Sequence, residues 1–251
     1  MSGHSKWKTI QHKKGAADAR RGKIFSKISR ELMVVARKGG SNPDRNPALR
    51  TVIQKAKSAN MPGDNVERAI KKGSGELEGT KFEEITYEGY AQGGVGFIVT
   101  LLTDNKNRTA SEIKHLFTKH GASLAGQGSV SHGFERKGQI FVDSSAVEEE
   151  KLMNIVLEAG AEDMSRDGEQ YEILTEPTRL AEVTEALEQE GVPAASAQVS
   201  LVPSTLVPVA DKGAAASLLK FLAELEDNDD VQDVYSNMDI ADDIFKELDS
   251  E

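Results

Sequence analysis

The apolar residues of this chain change their period at one glycine-rich stretch, and that change restricts its fold more than any other feature. Before Gly73-Ser74-Gly75-Glu76-Leu77-Glu78-Gly79 they recur at three- and four-residue spacing, and after it short extended runs alternate with helical ones. Phe25, Ile28, Leu32 and Val35 predict a helix over 23–38, with Lys27, Arg30, Glu31 and Arg37 off its apolar face and Gly39-Gly40 as its stop. Asn46 before Pro47 is a cap followed by a first-turn proline, and Leu49, Ile53 and Ala56 carry the second helix to Asn60-Met61-Pro62. Asp64 and Glu67 predict a capping box for a third, short helix closed by Gly73. Residues 1–21 have few apolar side chains and read as an extended or partly ordered basic arm.

Beyond the glycine-rich stretch, Ile85, Tyr87 and Tyr90 and then residues 95–102 predict two strands around Gly93-Gly94. A helix over 109–120 and a strand over 129–134 follow. Residues 139–202 read as strand, helix, strand, strand, helix, strand, the order of a ferredoxin-like sandwich. A strand over 206–209, a helix over 213–225 and a strand over 231–235 then lack partners of their own, and they complete the set begun at Ile85. The fold class is therefore α+β: an N-terminal three-helix domain, then two ferredoxin-like α/β domains, the second inserted in the first. The expected divisions are 1–78, then 79–134 with 204–240, with 135–203 inserted. Residues 241–251 read as an acidic tail, solvated or docked on a partner.

Charge divides at the same place. The chain has a formal net charge of −10, yet residues 1–75 hold 18 Lys and Arg against 5 Asp and Glu. Such asymmetry points one segment at polyanions while the remainder repels them, which leaves the acidic α/β domains as a surface for a protein partner. The densest cluster is Lys6-Trp7-Lys8, His12-Lys13-Lys14, Arg20, Arg21, Lys23, Lys27 and Arg30. Its cations suit phosphate, and Trp7, the only tryptophan, suits stacking on an unpaired base. The polar loop Asp104, Asn105, Asn107 and Arg108 is a candidate second contact, with helix capping by Asn107 or Thr109 as its plain reading.

Other chemistries find no support in the pattern. There is no cysteine, and His4 and His12 have no partners at metal-ligand spacing, so no metal or thiol site is expected. A phosphate loop fails because six residues separate Gly15 from Gly22 and Ile24 follows Lys23. Gly126, Gly128 and Gly133 lack a dinucleotide context, and no G-x-S-x-G elbow is present. Carboxylate groups such as Glu83-Glu84 and Asp227, Asp229 and Asp230 read as solvated. The expectation is a protein without catalytic residues, cofactor or small-molecule substrate. No apolar run is long enough for a membrane span, and residues 1–14 lack the apolar stretch of a secretory signal, so a cytoplasmic location is expected.

Longer strings carry a resemblance. Ser2-Gly3-His4-Ser5-Lys6-Trp7, His12-Lys13-Lys14-Gly15-Ala16, Gly22-Lys23, Asn46-Pro47, Asn60-Met61-Pro62 and Ala69-Ile70-Lys71-Lys72-Gly73 are similar to the YebC family. So are Tyr87-Glu88-Gly89-Tyr90, the run from Leu102 to Thr109, and Gly128-Ser129-Val130. Ala91-Gln92 departs from the Gly-Pro more usual in the family before Gly93-Gly94. The resemblance implies a three-domain cytoplasmic protein whose middle domain is discontinuous. It implies a DNA-binding regulator of transcription. As an alternative it implies a ribosome-associated translation factor that binds ribosomal RNA and relieves stalling at proline-rich stretches, as in the related mitochondrial translational activator of cytochrome oxidase. No helix-turn-helix is evident: the Asn60-Met61-Pro62 turn matches that motif weakly.

Overall fold

A computed structural model describes residues 17–249, and the chain divides into two compact units, one running from His132 to Thr205 and the other built from the residues on both sides of it. Lys6, Trp7, Lys8, His12, Lys13 and Lys14 lie outside the described residues.

The larger unit begins with three helices. α1 spans Ala17–Gly39, so residues 17–21 are helical where an extended or partly ordered arm was expected. Ala, Asp and Arg at these positions tolerate helix, and the apolar count that suggested an arm reports burial rather than backbone propensity. α2 spans Pro47–Ser58 behind Asn46. The Asn46 side chain accepts from Leu49 N at 3.1 Å and donates to the carbonyls of Val35 and Gly40 at 2.9 Å each, so one buried amide caps α2 and receives the end of α1. α3 spans Gly63–Ser74 and starts at Pro62 without a side-chain cap; Glu67 pairs with Lys71 at 3.9 Å in place of the expected capping box. Gly73 does not close α3. A Cβ there would lie 2.4 Å from the Met33 carbonyl, so its bareness lets α3 meet α1, and Gly75, at φ +87°, ends the helix. Ile28, Leu32, Ala36, Leu49, Val52, Ala56, Met61 and Ala69 form the core of the bundle.

The same unit continues with β1 (Glu83–Tyr90), β2 (Gly96–Thr103), α4 (Lys106–Lys119) and β3 (Ser123–Ala125). The expected strand over 129–134 is absent: residues 131–133 form a short 3-10 turn, and the strand begins only at Phe134. The second unit then contributes β4 (Phe134–Asp143), α5 (Glu149–Glu158), β5 (Ala161–Asp167), β6 (Gln170–Thr175), α6 (Leu180–Gln189) and β7 (Ala194–Pro203). Its antiparallel sheet has the order β5-β6-β4-β7 of a ferredoxin-like sandwich. Ile140, Val142, Leu152, Val156, Tyr171, Ile173, Val183 and Leu187 are buried between sheet and helices.

The larger unit resumes with β8 (Val207–Val209), α7 (Lys212–Asp227), β9 (Val231–Ser236), β10 (Met238–Ile240) and α8 (Asp242–Asp249). Its main sheet has the order β3-β1-β2-β9, all antiparallel. This too is a ferredoxin-like order, with β1 in the place that β8 was expected to fill. The turn through Gly93 and Gly94, at φ +72° and +78°, folds β1 straight back onto β2, so the place is already taken. β8 pairs in parallel with β10 instead. The described part of the tail docks one face on its own chain: Phe245 is buried in the core beside Ile240 of β10, with Leu218, Phe221, Leu222 and Leu225 of α7, while Ala241, Asp243 and Glu247 are exposed.

Candidate nucleic-acid interface

α1 has two opposed faces. Ile28, Leu32 and Ala36 enter the bundle core, and Lys23, Lys27 and Arg30, three to four residues apart, lie on the other side. That side meets the C-terminal end of α7 and the acidic segment after it. Lys23 pairs with Asp227, Lys27 Nζ donates to the Glu226 carbonyl at 2.8 Å, and Arg30 donates to the Asp229 carbonyl and, at 3.0 Å, to Asp230 Oδ1. The last carbonyls of a helix lack intrahelical donors and carry partial negative charge, so cations are favoured there. Burial lowers the Lys27 ammonium below its ordinary range, against the pull of Glu226 and Asp233. The pairs differ in strength. Lys23 and Asp227 are 43% and 74% exposed, and such surface pairs contribute less than about 1 kcal/mol, whereas Arg30 and Asp230 are 20% and 5% exposed. The Arg30 guanidinium also lies 5.3 Å from the centre of the Phe82 ring.

Asp230 is a junction. Besides Arg30 it accepts from Arg108 Nη2 at 2.7 Å, the Thr109 hydroxyl at 2.7 Å and the Thr103 hydroxyl at 3.2 Å, and its carbonyl accepts from Leu102 N at 2.8 Å. Burial alone would raise this carboxyl, but the hydrogen bonds and the charge of Arg108, with the threonine hydroxyls, hold it below the usual aspartate range. The reading of Asp227, Asp229 and Asp230 as a solvated group is therefore corrected for Asp230, whose partners come from distant parts of the chain. Glu83 and Glu84 pair with Lys106 at 2.5 Å and Lys38 at 2.7 Å but are 62% and 60% exposed, so for them the solvated reading stands.

The loop before α4 is held by the same junction. Asn105, rather than Asn107 or Thr109, caps the helix: its side chain accepts from Arg108 N at 3.1 Å. Thr109 is instead buried against Asp230. Arg108 also binds Asp104 at 3.1 Å, so of the four candidate contact residues Asn107 stands exposed on the first turn without a described side-chain bond. Of the basic cluster, Arg20 and Arg21 stand on the first turns of α1.

A second ordered loop rises beside β1. Glu88 is buried and accepts from Gly128 N at 2.8 Å, Val130 N at 2.6 Å, and Ser131 N and hydroxyl at 3.0 Å each, while the Tyr90 hydroxyl donates to the Ser129 carbonyl. Burial would raise the Glu88 carboxyl, and these amides outweigh it and lower it. Both Glu88 and Asp230 thus titrate lower folded than unfolded. The stability they supply is complete above the ordinary values of 4.5 and 3.8 and is lost as pH falls below them. Glu88→Gln should remove the charge-assisted bonds at a cost of about 1–2 kcal/mol and flatten the acid limb of a stability-against-pH curve. An acid limb identical to the parent's would exclude Glu88 as a source of that pH dependence. No arithmetic of motif spacing pairs Glu88 with residues forty positions away, so the sequence carried no signal for this bond set beyond the strings that resemble YebC.

Among the described residues no group of His, Asp and Glu is arranged to hold a metal ion, and no helix is long and apolar enough to cross a membrane.

The chain belongs to the TACO1/YebC family: the family's N-terminal domain profile matches residues 5–76, and the profile of its second and third domains matches residues 82–238. It is 51% identical over 248 residues to a protein of Geobacter sulfurreducens named a probable transcriptional regulatory protein, covering 99% of this chain and 100% of that one. A relative of the same name in Dictyoglomus thermophilum is 50% identical over 249 residues, with 99% and 100% covered. Among solved structures, a conserved hypothetical protein from Aquifex aeolicus superposes with a TM-score of 0.83 at 52% identity, covering 90% of this chain and 93% of the other.

Proposed function

We propose that this chain is a non-enzymatic, DNA-binding regulator of transcription that works in the cytoplasm and meets the phosphate backbone with its basic N-terminal domain. The observation that carries the reading is the concentration of 18 Lys and Arg against 5 Asp and Glu in residues 1–75 of a chain whose net charge is −10. The regulator names of its relatives support it. Lys6, Lys8, His12, Lys13, Lys14, Arg20 and Arg21 contact phosphate, and Trp7 stacks where a base is unpaired. Lys23, Lys27 and Arg30 lie at the edge of that contact and hold α1 to α7. Asn107 is the residue of the 104–108 loop best placed for a second contact, and the acidic α/β domains are the surface for a protein partner.

Binding of the full chain to labelled duplex DNA and to an RNA hairpin, followed by fluorescence anisotropy over a range of salt, tests this. Lys13→Ala with Lys14→Ala should weaken binding similarly across sequences and flatten the dependence of log K on log salt by about 0.7–0.9 for each phosphate that is no longer neutralised. An unchanged slope would remove these lysines from the interface. Much tighter binding to the hairpin than to the duplex at matched salt would overturn the DNA reading in favour of a ribosome-associated translation factor.

A further inference from the structure

Two groups stand out among the described cations of the helical bundle. Lys23, Lys27, Arg30, Lys38 and Lys55 each reach an acidic side chain or a backbone carbonyl: Lys23 to Asp227, Lys27 to the carbonyl of Glu226, Arg30 to Asp230, Lys38 to Glu84 and Lys55 to Glu31. Arg37, Arg45, Lys57, Arg68 and Lys72 are exposed and have no ion pair or side-chain hydrogen bond among the described residues.

Helix geometry separates the groups. On α2, Leu49, Val52 and Ala56 point into the core; Lys55 lies on the flank that meets Glu31 of α1, and Lys57 lies on the opposite flank. On α3, Ala69 is buried and Gly73 meets Met33, which turns Arg68 and Lys72, one helical turn apart, toward solvent. Arg37 in the last turn of α1 and Arg45 just before α2 bracket the connection between those helices.

We infer that Arg37, Arg45, Lys57, Arg68 and Lys72 form the face of the bundle that meets the DNA backbone, and that the paired cations of α1 belong to the internal anchor. The inference rests on the DNA-binding reading above and says which surface of the bundle carries it. A lysine already neutralised by a carboxylate must exchange one anion for another on meeting phosphate, and the exchange releases few counterions from the nucleic acid. An unpaired cation neutralises a phosphate outright and releases its full share. The three arginines of the free group add a planar fork that fits phosphate oxygens two at a time. Acidic side chains in this part of the bundle are sparse: Asp44 and Asp64 are exposed, and Glu67 is paired with Lys71.

The test compares the full chain carrying Arg45→Gln, Lys57→Gln, Arg68→Gln and Lys72→Gln with the full chain carrying Lys23→Gln alone, on a fluorescein-labelled DNA duplex of mixed sequence. Thermal melts should be unchanged for the fourfold variant, since the replaced groups have no ion pair or side-chain hydrogen bond among the described residues to lose. Its salt slope should flatten by about 0.9 for each phosphate left unneutralised, with affinity falling at least tenfold in low salt, while Lys23→Gln should shift the slope by less than the share of a single phosphate. A fourfold variant that binds with the parent's slope, or a Lys23→Gln variant that flattens it as much, would overturn this surface while leaving the DNA reading intact. A parent chain that does not bind the duplex would overturn both.

Discussion

Asp230→Ala is expected to destabilise the larger unit by about 3 kcal/mol, because it leaves Arg30 half-buried without its carboxylate and strips the Thr103 and Thr109 hydroxyls of an acceptor. Urea unfolding followed by far-ultraviolet circular dichroism measures the loss. Because the residue joins the bundle to the α/β layer, the cost should not stay local: α1 loses a part-buried tie to the segment after α7, and Arg108 loses one of its carboxylate partners. Removing Arg30 as well, as Arg30→Met in the Asp230→Ala background, should recover part of the stability, since a half-buried cation left without its carboxylate carries part of the penalty. A loss below about 1 kcal/mol for Asp230→Ala, with no interaction between the two substitutions, would mean that Asp230 is solvated and the junction is not a stabilising element.

The second large effect falls on Gly73. A leucine there must displace the Met33 backbone, since even a Cβ would sit 2.4 Å from its carbonyl oxygen, and a backbone cannot rotate away as a side-chain end can. Overpacking of this kind costs about 1–3 kcal/mol, and a clash with backbone places Gly73→Leu at the upper end. The bundle core is small, with Ala36, Ala56 and Ala69 among its buried residues, so the damage should appear as accelerated hydrogen exchange in α1 and α3 together. Gly75→Ala differs in mechanism: its Cβ would meet nothing, and only the φ of +87° opposes it, at roughly 1 kcal/mol. Equal exchange rates in Gly73→Leu and the parent would contradict the close packing of α3 on α1.

The elements were legible where one local rule decides them. Asn46-Pro47 announced α2, and the β-α-β-β-α-β order of residues 139–202 announced the inserted sandwich, because caps and periodicity act over a few residues. What failed was decided elsewhere in the chain. β8 looked like a missing sheet strand, but β1 had already taken the position beside β2. The acidic, amphipathic tail reads as solvated or docked on a partner, yet Phe245 packs on α7 of the same chain, beside Ile240. For the interface, the sequence showed the sign of the charge and its location but not its pairing. Lys23, Lys27 and Arg30 have the spacing of a phosphate-facing stripe and also that of a stripe facing carbonyls and carboxylates some two hundred residues away. Glu88 and Asp230 were hidden for the same reason: a buried carboxylate is recognised by its donors, and those lie far off in sequence.

Crosslinking of the protein to nucleic acid in cells, with sequencing of the attached fragments and mass spectrometry of the crosslinked peptides, tests the central claim most directly. The expected result is reads enriched in promoter DNA and crosslinked peptides from the basic segment before α1, from the two ends of α1, and from α2 and α3. Reads concentrated at one site in ribosomal RNA, or crosslinks confined to the α/β domains, would contradict it.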